Sequence, residues 1–231
     1  MVDYLLPLPP VMSLPVIGRE GRFPVGRIFC VGRNYAAHAA EMGNEVDREA
    51  PFYFLKSPHA VQQSGTVLAY PPGTEDLHHE IELVVAIGAP GFRLARDRAA
   101  GVIWGYGAAL DMTRRDLQAK AKAKQRPWDL SKDFEGAAVL SALTPAQDFQ
   151  PLGQRIQLGV NGVTRQDAVI SDMVWSIDEL IADLSLYYHL APGDLILTGT
   201  PAGVGPVVTG DRLSGGIEGL APVELRIGPA E

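Results

Sequence analysis

Glycine and proline divide this 231-residue chain into short segments, since it contains 25 glycines and 18 prolines. Both residues interrupt regular structure, so the pattern favours a sheet-rich fold with irregular connections over a helical bundle. Periodicity predicts helices at 35–42, 112–124 and 176–188. Short apolar runs predict strands at 27–31, 52–55, 81–88, 102–110, 156–160, 195–198 and 222–227. The predicted fold class is α+β with strands predominating.

The length and the apolar content of 46% allow one full-sized hydrophobic core. We therefore predict a single catalytic domain over residues 1–231, in which residues 1–26 form an extended, proline-rich lead-in. No strand is followed by a Gly-x-Gly-x-x-Gly phosphate loop, which argues against a dinucleotide-binding fold.

The net charge of −7 argues against a nucleic-acid-binding surface. The basic residues that follow position 119 favour a solvated helical face over an anion-attracting rim; they are Lys120, Lys122, Lys124 and Arg126. Cys30 is the only cysteine, so neither a disulfide framework nor a thiolate metal site is expected. The N-terminus does not resemble a signal peptide, and no segment reaches the ~20 apolar residues of a membrane helix. We expect a soluble cytoplasmic protein.

Two acidic residues stand at the start of a buried strand in the segment EDLHHEIELVVAI, residues 75–87. Because side chains alternate along a strand, Glu80 and Glu82 point to the same side, roughly 7 Å apart. Carboxylates that meet at the end of a core element repel each other unless a cation joins them. The alternative is a solvated strand end that carries two incidental glutamates.

A third carboxylate, Asp111, ends the apolar run that begins at Val102. Together with Glu80 and Glu82 it would form an all-oxygen set, which selects Mg²⁺ or Mn²⁺ over Zn²⁺. Taken alone, Asp111 could equally be a helix cap. His78 and His79 are expected to orient the ligands or to lie at the surface rather than to bind the metal.

His38 and Glu41 are three residues apart in the predicted helix 35–42, so they share one helical face. A carboxylate beside an imidazole raises its basicity, and such a pair can take a proton from water near neutral pH. The alternative is a surface ion pair of small energetic value. Asn34 is the expected N-cap of this helix, and Gly43 its C-terminal stop.

A glycine-rich loop, residues 197–205, follows the strand that ends near Leu197. The backbone N–H groups of such a loop, including that of Gly199, and the hydroxyl of Thr200 could hold a substrate carboxylate. The glycines could equally serve only a tight turn. Lys132 is a lone cation in an aromatic-rich loop; it could polarise a carbonyl group or simply face solvent.

Several of these segments occur together in one known family. The chain resembles the fumarylacetoacetate hydrolase family from about residue 14 to 228, most closely its small fumarylpyruvate hydrolases and acylpyruvases. The resemblance rests on the segments IFCVGRNYAAHAAEMG, PFYFLK, DLHHEIELVVAIG, GYGAALDMTRRDLQAKAK, RPWDLSKDF and ILTGTPAGVGPV.

The resemblance implies a mixed β-sandwich roll with a few short helices, assembled as a homodimer. It implies that Glu80, Glu82 and Asp111 hold Mg²⁺ or Mn²⁺, and that His38 and Glu41 activate a water molecule. It also implies substrate contacts from four further residues, which are Lys132, Gln118, Arg115 and Thr200. The implied reaction is hydrolysis of the carbon–carbon bond of a 2,4-dioxo acid, fumarylpyruvate above all, in the catabolism of aromatic compounds.

Other functions fit the same metal site. A general acylpyruvase, an oxaloacetate decarboxylase or an oxo-acid isomerase would use the same metal and enolate chemistry, the last two without the water. Relatives restricted to that chemistry tend to lack the His/Glu helix, so His38 and Glu41 favour hydrolysis. A non-catalytic, metal-dependent binding module would bind such acids and release them unchanged.

Overall fold

The computed structural model describes residues 4–41, 43 and 48–230. Its helices are α1 (Ala36–Glu41), α2 (Arg115–Ala123), α3 (Asp129–Lys132) and α4 (Ile177–Tyr187), with 3-10 turns at Pro58–Ala60, Arg96–Val102, Ala146–Asp148 and Ile170–Asp172. Its strands are β1 (Ser13–Val16), β2 (Arg19–Pro24), β3 (Ile28–Gly32), β4 (Phe52–Lys56), β5 (Val61–Gln63), β6 (Thr66–Tyr70), β7 (Leu77–His79), β8 (Ile81–Ile87), β9 (Ile103–Asp111), β10 (Thr113–Arg114), β11 (Ala138–Leu140), β12 (Thr144–Pro145), β13 (Arg155–Val160), β14 (Val163–Val169), β15 (Leu195–Leu197), β16 (Gly205–Val207), β17 (Arg212–Ile217) and β18 (Val223–Ala230).

A mixed eight-stranded sheet forms the centre of the molecule. Its strand order is β4-β3-β15-β8-β9-β11-β5, and β12 pairs with β9 outside this path. All seven residues of β8 are buried, which explains why the run from Ile81 to Ile87 is almost continuously apolar. β8 and β9 are antiparallel, with Ile81 opposite Leu110, so the start of β8 and the end of β9 lie at the same edge.

A five-stranded sheet in the order β14-β13-β17-β18-β6 packs against the central sheet. Alternate residues of β13 and β17 are buried, among them Ile156, Leu158, Leu213 and Ile217. The hydrophobic core therefore lies between two sheets, as in a sandwich. A small third sheet, β10-β7-β16, and the hairpin β1-β2 complete the fold. The predicted strand-dominated α+β class is confirmed.

Helix α4 covers part of this core. Ser176 accepts a hydrogen bond from the backbone N–H of Glu179, and the Glu179 side chain accepts one from the backbone N–H of Ser176, which together form a capping box. The apolar stripe that predicted the helix is buried at Ile177, Leu180, Ile181 and Leu184. Its fifth predicted member, Leu186, is exposed. The predicted bounds, 176–188, are confirmed to within one residue at each end.

The predicted helix 112–124 is wrong over its first three residues. Thr113 and Arg114 form β10, which pairs with His78 and Leu77 of β7, and α2 begins at Arg115. Asp111 is therefore the last residue of a strand, and its alternative role as a helix cap is wrong. Several short strands and α3 were not predicted because segments of two to four residues show no measurable periodicity.

The N-terminal lead-in contains a hairpin that was not predicted. Residues 1–3 lie outside the described residues, but β1 and β2 form an antiparallel hairpin around Gly18, whose φ is +69°. Leu14 and Phe23 of this hairpin are buried in the core. The alternation of apolar and polar residues that produces this burial was obscured by the surrounding prolines.

No helix in the described part of the chain combines the length and apolar character needed to cross a membrane. The single catalytic domain over residues 1–231 stays a prediction.

The close approach of β9 and β12 depends on a residue without a side chain. A Cβ atom at Gly105 would overlap the carbonyl oxygen of Thr144. We expect Gly105→Ala to lower the free energy of unfolding by about 1–3 kcal/mol, because a backbone atom cannot move aside cheaply. Urea denaturation followed by tryptophan fluorescence measures this change.

The matched control is Gly101→Ala, since no atom lies within 4 Å of a Cβ built at that position. This variant should stay within about 0.5 kcal/mol of the wild type. Equal losses in the two variants would contradict the packing argument.

Candidate active site

Three buried carboxylates meet at the edge shared by β8 and β9. Glu80 joins β7 to β8, Glu82 lies within β8, and Asp111 ends β9. The backbone N–H of Asp111 donates to the carbonyl oxygen of Glu80 at 2.8 Å, which fixes the register. One oxygen from each carboxylate lies within 4.8 Å of the others. The predicted acidic set is therefore brought together, and the alternative of a solvated strand end is wrong.

Three cationic side chains surround two of these carboxylates. Lys132 Nζ lies 2.8 Å from Glu80 Oε2 and 2.8 Å from Asp111 Oδ2. Lys56 Nζ lies 2.9 Å from Asp111 Oδ1, and the Arg115 guanidinium donates to Glu80 Oε1. If Glu82 is counted with Glu80 and Asp111, the formal charges of the three acids and the three cations balance before any metal is added.

Glu82 differs from the other two acids, because no cation forms an ion pair with it among the described residues. Its Oε2 atom accepts a hydrogen bond from the Gly199 backbone N–H at 2.8 Å. Burial raises the pKa of Glu82 well above its usual value, and the charges of Asp111 and Glu80 add to this effect.

The pKa of Glu80 is shifted in the opposite direction to that of Glu82. Burial would raise its pKa, but the charges of Lys132 and Arg115 outweigh burial and hold that pKa well below its usual value. The cluster therefore has one carboxylate whose charge is destabilised and which a bound cation would stabilise. Hard carboxylate oxygens in this number fit Mg²⁺ or Mn²⁺.

Lys132 is buried, so its alternative as a solvent residue is wrong. Burial alone would lower its pKa, but the charges of Asp111 and Glu80 raise it. Besides these carboxylates, Lys132 Nζ donates to Thr113 Oγ1 at 2.7 Å. An ammonium group has three hydrogens. All three are used, so polarising a substrate carbonyl would require Lys132 to give up one of these bonds.

His38 lies on α1 with only 6% of its surface exposed, so it is not part of a surface ion pair. Its Nδ1 atom is 3.4 Å from Glu41 Oε2. Both oxygens of Glu41 lie 3.1 Å from the backbone nitrogen of Gly203, whose N–H donates to them. Burial lowers the pKa of His38 below its usual value, and Glu80 and Glu41 offset this only in part. The predicted contribution of Glu41 to the basicity of His38 is therefore present, but the stronger effect of burial was not predicted.

The glycine-rich loop, residues 197–205, forms hydrogen bonds with side chains and backbone groups of neighbouring elements. Gly199 and Gly203 both have positive φ, +95° and +94°, and a Cβ at Gly203 would overlap the Arg165 carbonyl oxygen. The Thr200 hydroxyl donates to the carbonyl oxygen of Ile81 at 2.8 Å. The loop N–H groups of Gly199 and Gly203 are bonded to Glu82 and Glu41, as described above. A direct substrate contact from Gly199 or Thr200 stays a prediction.

Gln166 is a site residue that the sequence did not reveal. Its Oε1 atom accepts a hydrogen bond from the backbone N–H of Ile81 and lies 3.0 Å from His79 Nδ1, while its Nε2 donates to Thr200 Oγ1. It therefore connects β14 to the start of β8 and to the glycine-rich loop. A lone glutamine in a polar strand offers no sequence signal for this role.

Lys56 and Asn34 were also missed. Lys56 is buried at the end of β4. A lysine at the end of an apolar strand is the sequence signal that could have identified it.

The assignment of Asn34 as an N-cap is wrong, since α1 begins two residues later. Its side chain instead donates to the carbonyl oxygens of Trp175 and Thr198. Gly43 has a φ of +68°, as expected of a residue that ends a helix. Met42, the last residue of the predicted helix, lies outside the described residues.

A cavity of about 40 Å³ opens onto the carboxylates. Arg115 and Gln118 of α2 line it, and Arg115 Nη1 donates to Gln118 Oε1 at 2.7 Å. The Nε atom of Arg115 is buried and has no hydrogen-bond partner among the described residues. The N–H group of Arg115 Nε is therefore available to a ligand.

His78 and His79 lie outside the carboxylate cluster, as predicted. His78 Nε2 is 2.9 Å from Asp76 Oδ1, and His79 contacts Gln166. Cys30 is completely buried, and burial raises the pKa of its thiol well above the usual value. These features agree with a structural role for the cysteine.

Comparison with known proteins places the chain in a family. The family described as "Fumarylacetoacetate (FAA) hydrolase C-terminal" matches residues 27–228. The chain belongs to this family. It is 53% identical over 192 residues to a fumarylpyruvate hydrolase of Ralstonia sp, which covers 82% of this chain and 100% of that protein. It is 42% identical over 194 residues to an oxaloacetate tautomerase of Escherichia coli, covering 83% of this chain and 88% of that protein.

The fold is also similar to a solved structure. The crystal structure of fumarylpyruvate hydrolase from Pseudomonas aeruginosa, in complex with Mn²⁺ and pyruvate, superimposes with a TM-score of 0.95. The two chains are 43% identical, and the match covers 98% of this chain and 100% of that one. The predicted family and its mixed β-sandwich roll are confirmed.

The environment of His38 leads to a test by NMR titration. We expect the imidazole to titrate below the ordinary value of 6.5, because burial disfavours the charged form. Glu41→Gln should lower the pKa further, since the neutral amide no longer stabilises the imidazolium. His38→Gln assigns the resonance by removing it. A pKa above 6.5 in the wild type, or a rise in the Glu41 variant, would contradict this account.

Proposed function

We propose that the protein is a fumarylpyruvate hydrolase, which converts fumarylpyruvate and water to fumarate and pyruvate. The observation that carries this proposal is that the buried side chain of His38 lines the same cavity as Glu80 and Glu82. The proposal is supported by the 53% identity to the Ralstonia enzyme over that protein's whole length.

Glu80, Glu82 and Asp111 are the residues that would hold Mg²⁺ or Mn²⁺. When bound, the ion would bind the 2-oxo acid end of the substrate and spread the negative charge of the departing enolate. With three acids already balanced by Lys56, Lys132 and Arg115, a divalent ion leaves the site with two excess positive charges. Such a site suits a doubly negative substrate, and fumarylpyruvate carries two carboxylates.

His38 is the group that takes a proton from water, and Glu41, held by the Gly203 N–H, orients its imidazole. The resulting hydroxide oxygen adds to the carbonyl carbon at position 4. The bond between carbons 3 and 4 then breaks, and its electron pair leaves with the pyruvate fragment as an enolate. The proton on His38 can return to carbon 3 of that fragment, which completes pyruvate.

The donors that face the cavity have separate roles in this scheme. We assign Arg115 and Gln118 to substrate oxygens, since Arg115 Nε has no partner among the described residues. Lys132 keeps Glu80 and Asp111 charged, and its contact with substrate would follow exchange of one of its three bonds. Thr200 and Gly199 hold Ile81 and Glu82 in place.

Two substitutions separate the metal site from the base. His38→Ala should reduce hydrolysis by at least about 100-fold, which is the usual contribution of a general base, while Mn²⁺ binding is kept. Glu82→Ala should lose both activity and Mn²⁺ binding. Steady-state kinetics and isothermal titration calorimetry with Mn²⁺ measure the two properties. Unchanged turnover in the histidine variant would reject its assignment as the base.

A second function has a specific observation in its favour, namely the 42% identity to the Escherichia coli oxaloacetate tautomerase. Tautomerisation or decarboxylation of oxaloacetate would use the same carboxylates but no attacking water.

Product analysis separates these functions. We expect the Mg²⁺- or Mn²⁺-loaded protein to release pyruvate with fumarate from fumarylpyruvate, and more slowly pyruvate with acetate from acetylpyruvate. A chelator should stop both reactions. Oxaloacetate is the control substrate, and conversion of oxaloacetate without cleavage of either acylpyruvate would assign the second function instead.

The remaining expectations rest on the family resemblance. We propose that the protein acts as a homodimer in the cytoplasm, within the catabolism of aromatic compounds.

A further inference from the structure

Helix α2 presents one continuous face to the cavity. Arg115, Gln118 and Lys122 line the cavity, and their spacing of three and four residues puts them on the same side of the helix. Lys122 follows Gln118 by about one turn, or roughly 6 Å along the helix axis. The basic run was expected to be one solvated face, and Lys122 is exposed as expected, although it also lines the cavity. Lys120 faces solvent as well, where it pairs weakly with Asp116.

Arg33 approaches the same end of the cavity from the turn after β3. Its guanidinium carbon lies 4.9 Å from the centroid of the Phe52 ring, and Lys122 Nζ lies 5.0 Å from that of the Trp128 ring. These two rings contact each other edge to face, with centroids 5.6 Å apart. Each cation thus forms a cation–π contact with one ring of the same aromatic pair, which restricts the positions of both side chains.

The chain accepts unfavourable backbone geometry to place these groups. Arg33 has a φ of +55°, in the left-handed region that favours glycine. The preceding residue, Gly32, has no side chain, and a Cβ there would overlap the Phe52 ring. A bulky residue held in this conformation suggests that its side chain has a use.

Lys122 is not needed to balance the acids in the cavity. Glu80 and Asp111 already have partners in Lys132, Lys56 and Arg115. Lys122 forms no ion pair with a carboxylate of the described residues. Burial lowers the pKa of Lys122, and the positive charges of Arg115 and Arg33 lower it further.

We propose that Arg33 and Lys122 form a second carboxylate-binding subsite, which takes the terminal carboxylate of the acyl group and makes the protein selective for dicarboxylic 2,4-dioxo acids. This inference rests on the proposed function for the direction in which the substrate lies. The 2-oxo acid end lies at Glu80, Glu82 and Asp111, and the acyl group extends along α2 towards Lys122. The aromatic rings of Phe52 and Trp128 flank its flat double bond.

Binding of two uncleavable acids tests the subsite directly. 2-Oxoheptanedioate has the seven carbons and both end carboxylates of fumarylpyruvate but lacks the 4-oxo group and the double bond. 2-Oxoheptanoate lacks the terminal carboxylate as well. Isothermal titration calorimetry with the Mn²⁺-loaded wild type should give at least about tenfold tighter binding of the diacid, as charge-assisted hydrogen bonds imply. Equal affinities would overturn the proposal.

Substitutions of Arg33 and Lys122 test whether these two residues cause the preference for the diacid. Arg33→Gly suits the left-handed backbone, so this variant should fold, and Lys122→Met keeps an unbranched apolar stem. Each should reduce the preference for the diacid by about threefold or more, and the double variant should abolish it, while binding of 2-oxoheptanoate is unchanged. Arg33→Lys should restore part of the preference. Lys124→Met, which removes an exposed charge from the end of the same helix, should keep it in full.

The outcomes separate the subsite from the proposed function. An equal loss of both ligands in the Arg33 and Lys122 variants would show a general structural effect and overturn the subsite, as would a preference that survives in the double variant. Failure of the wild type to cleave fumarylpyruvate, with the diacid preference intact in binding, would reject the hydrolase but support the subsite.

Discussion

Repulsion among three buried carboxylates is the constraint on which the rest of the site depends. Glu80, Glu82 and Asp111 lie close together in an apolar interior, where like charges interact strongly. The chain compensates with Lys56, Lys132 and Arg115, whereas Glu82 accepts a backbone hydrogen bond from Gly199 and has no cationic partner among the described residues. This uneven compensation distinguishes a site prepared for a cation from an ordinary buried ion-pair network, in which each charge would have its own partner.

The sheet register and the glycine-rich loop determine where these carboxylates and the proposed base lie. Pairing of β8 with β9 places Glu80 beside Asp111, and the loop after β15 supplies N–H groups to both Glu82 and Glu41. The metal-binding acids and the proposed base are thus connected through one loop. Gln166 adds a second connection, from β14 to the start of β8. Such fully bonded polar networks fix a single arrangement of the side chains that they join.

The sequence predicted the site better than its surroundings. Strand alternation was sufficient to place Glu80 and Glu82 on one side, and the end of an apolar run was sufficient for Asp111, because both follow from local periodicity. Lys56 and Gln166 depend on contacts between strands far apart in the chain, which periodicity does not encode. The effect of Glu41 on the pKa of His38 was predicted correctly, but the larger effect of burial was not, because the burial of His38 is not visible in the sequence.

The central claim is that the three carboxylates jointly bind one divalent cation. Anomalous diffraction from a crystal grown with Mn²⁺, recorded at the manganese absorption edge, tests it most directly. The account predicts one strong peak bounded by an oxygen from each of Glu80, Glu82 and Asp111, with Lys132 displaced little from its present contacts. A peak elsewhere, or a carboxylate cluster that binds no manganese and has only Lys56, Lys132 and Arg115 as its cations, would contradict the account.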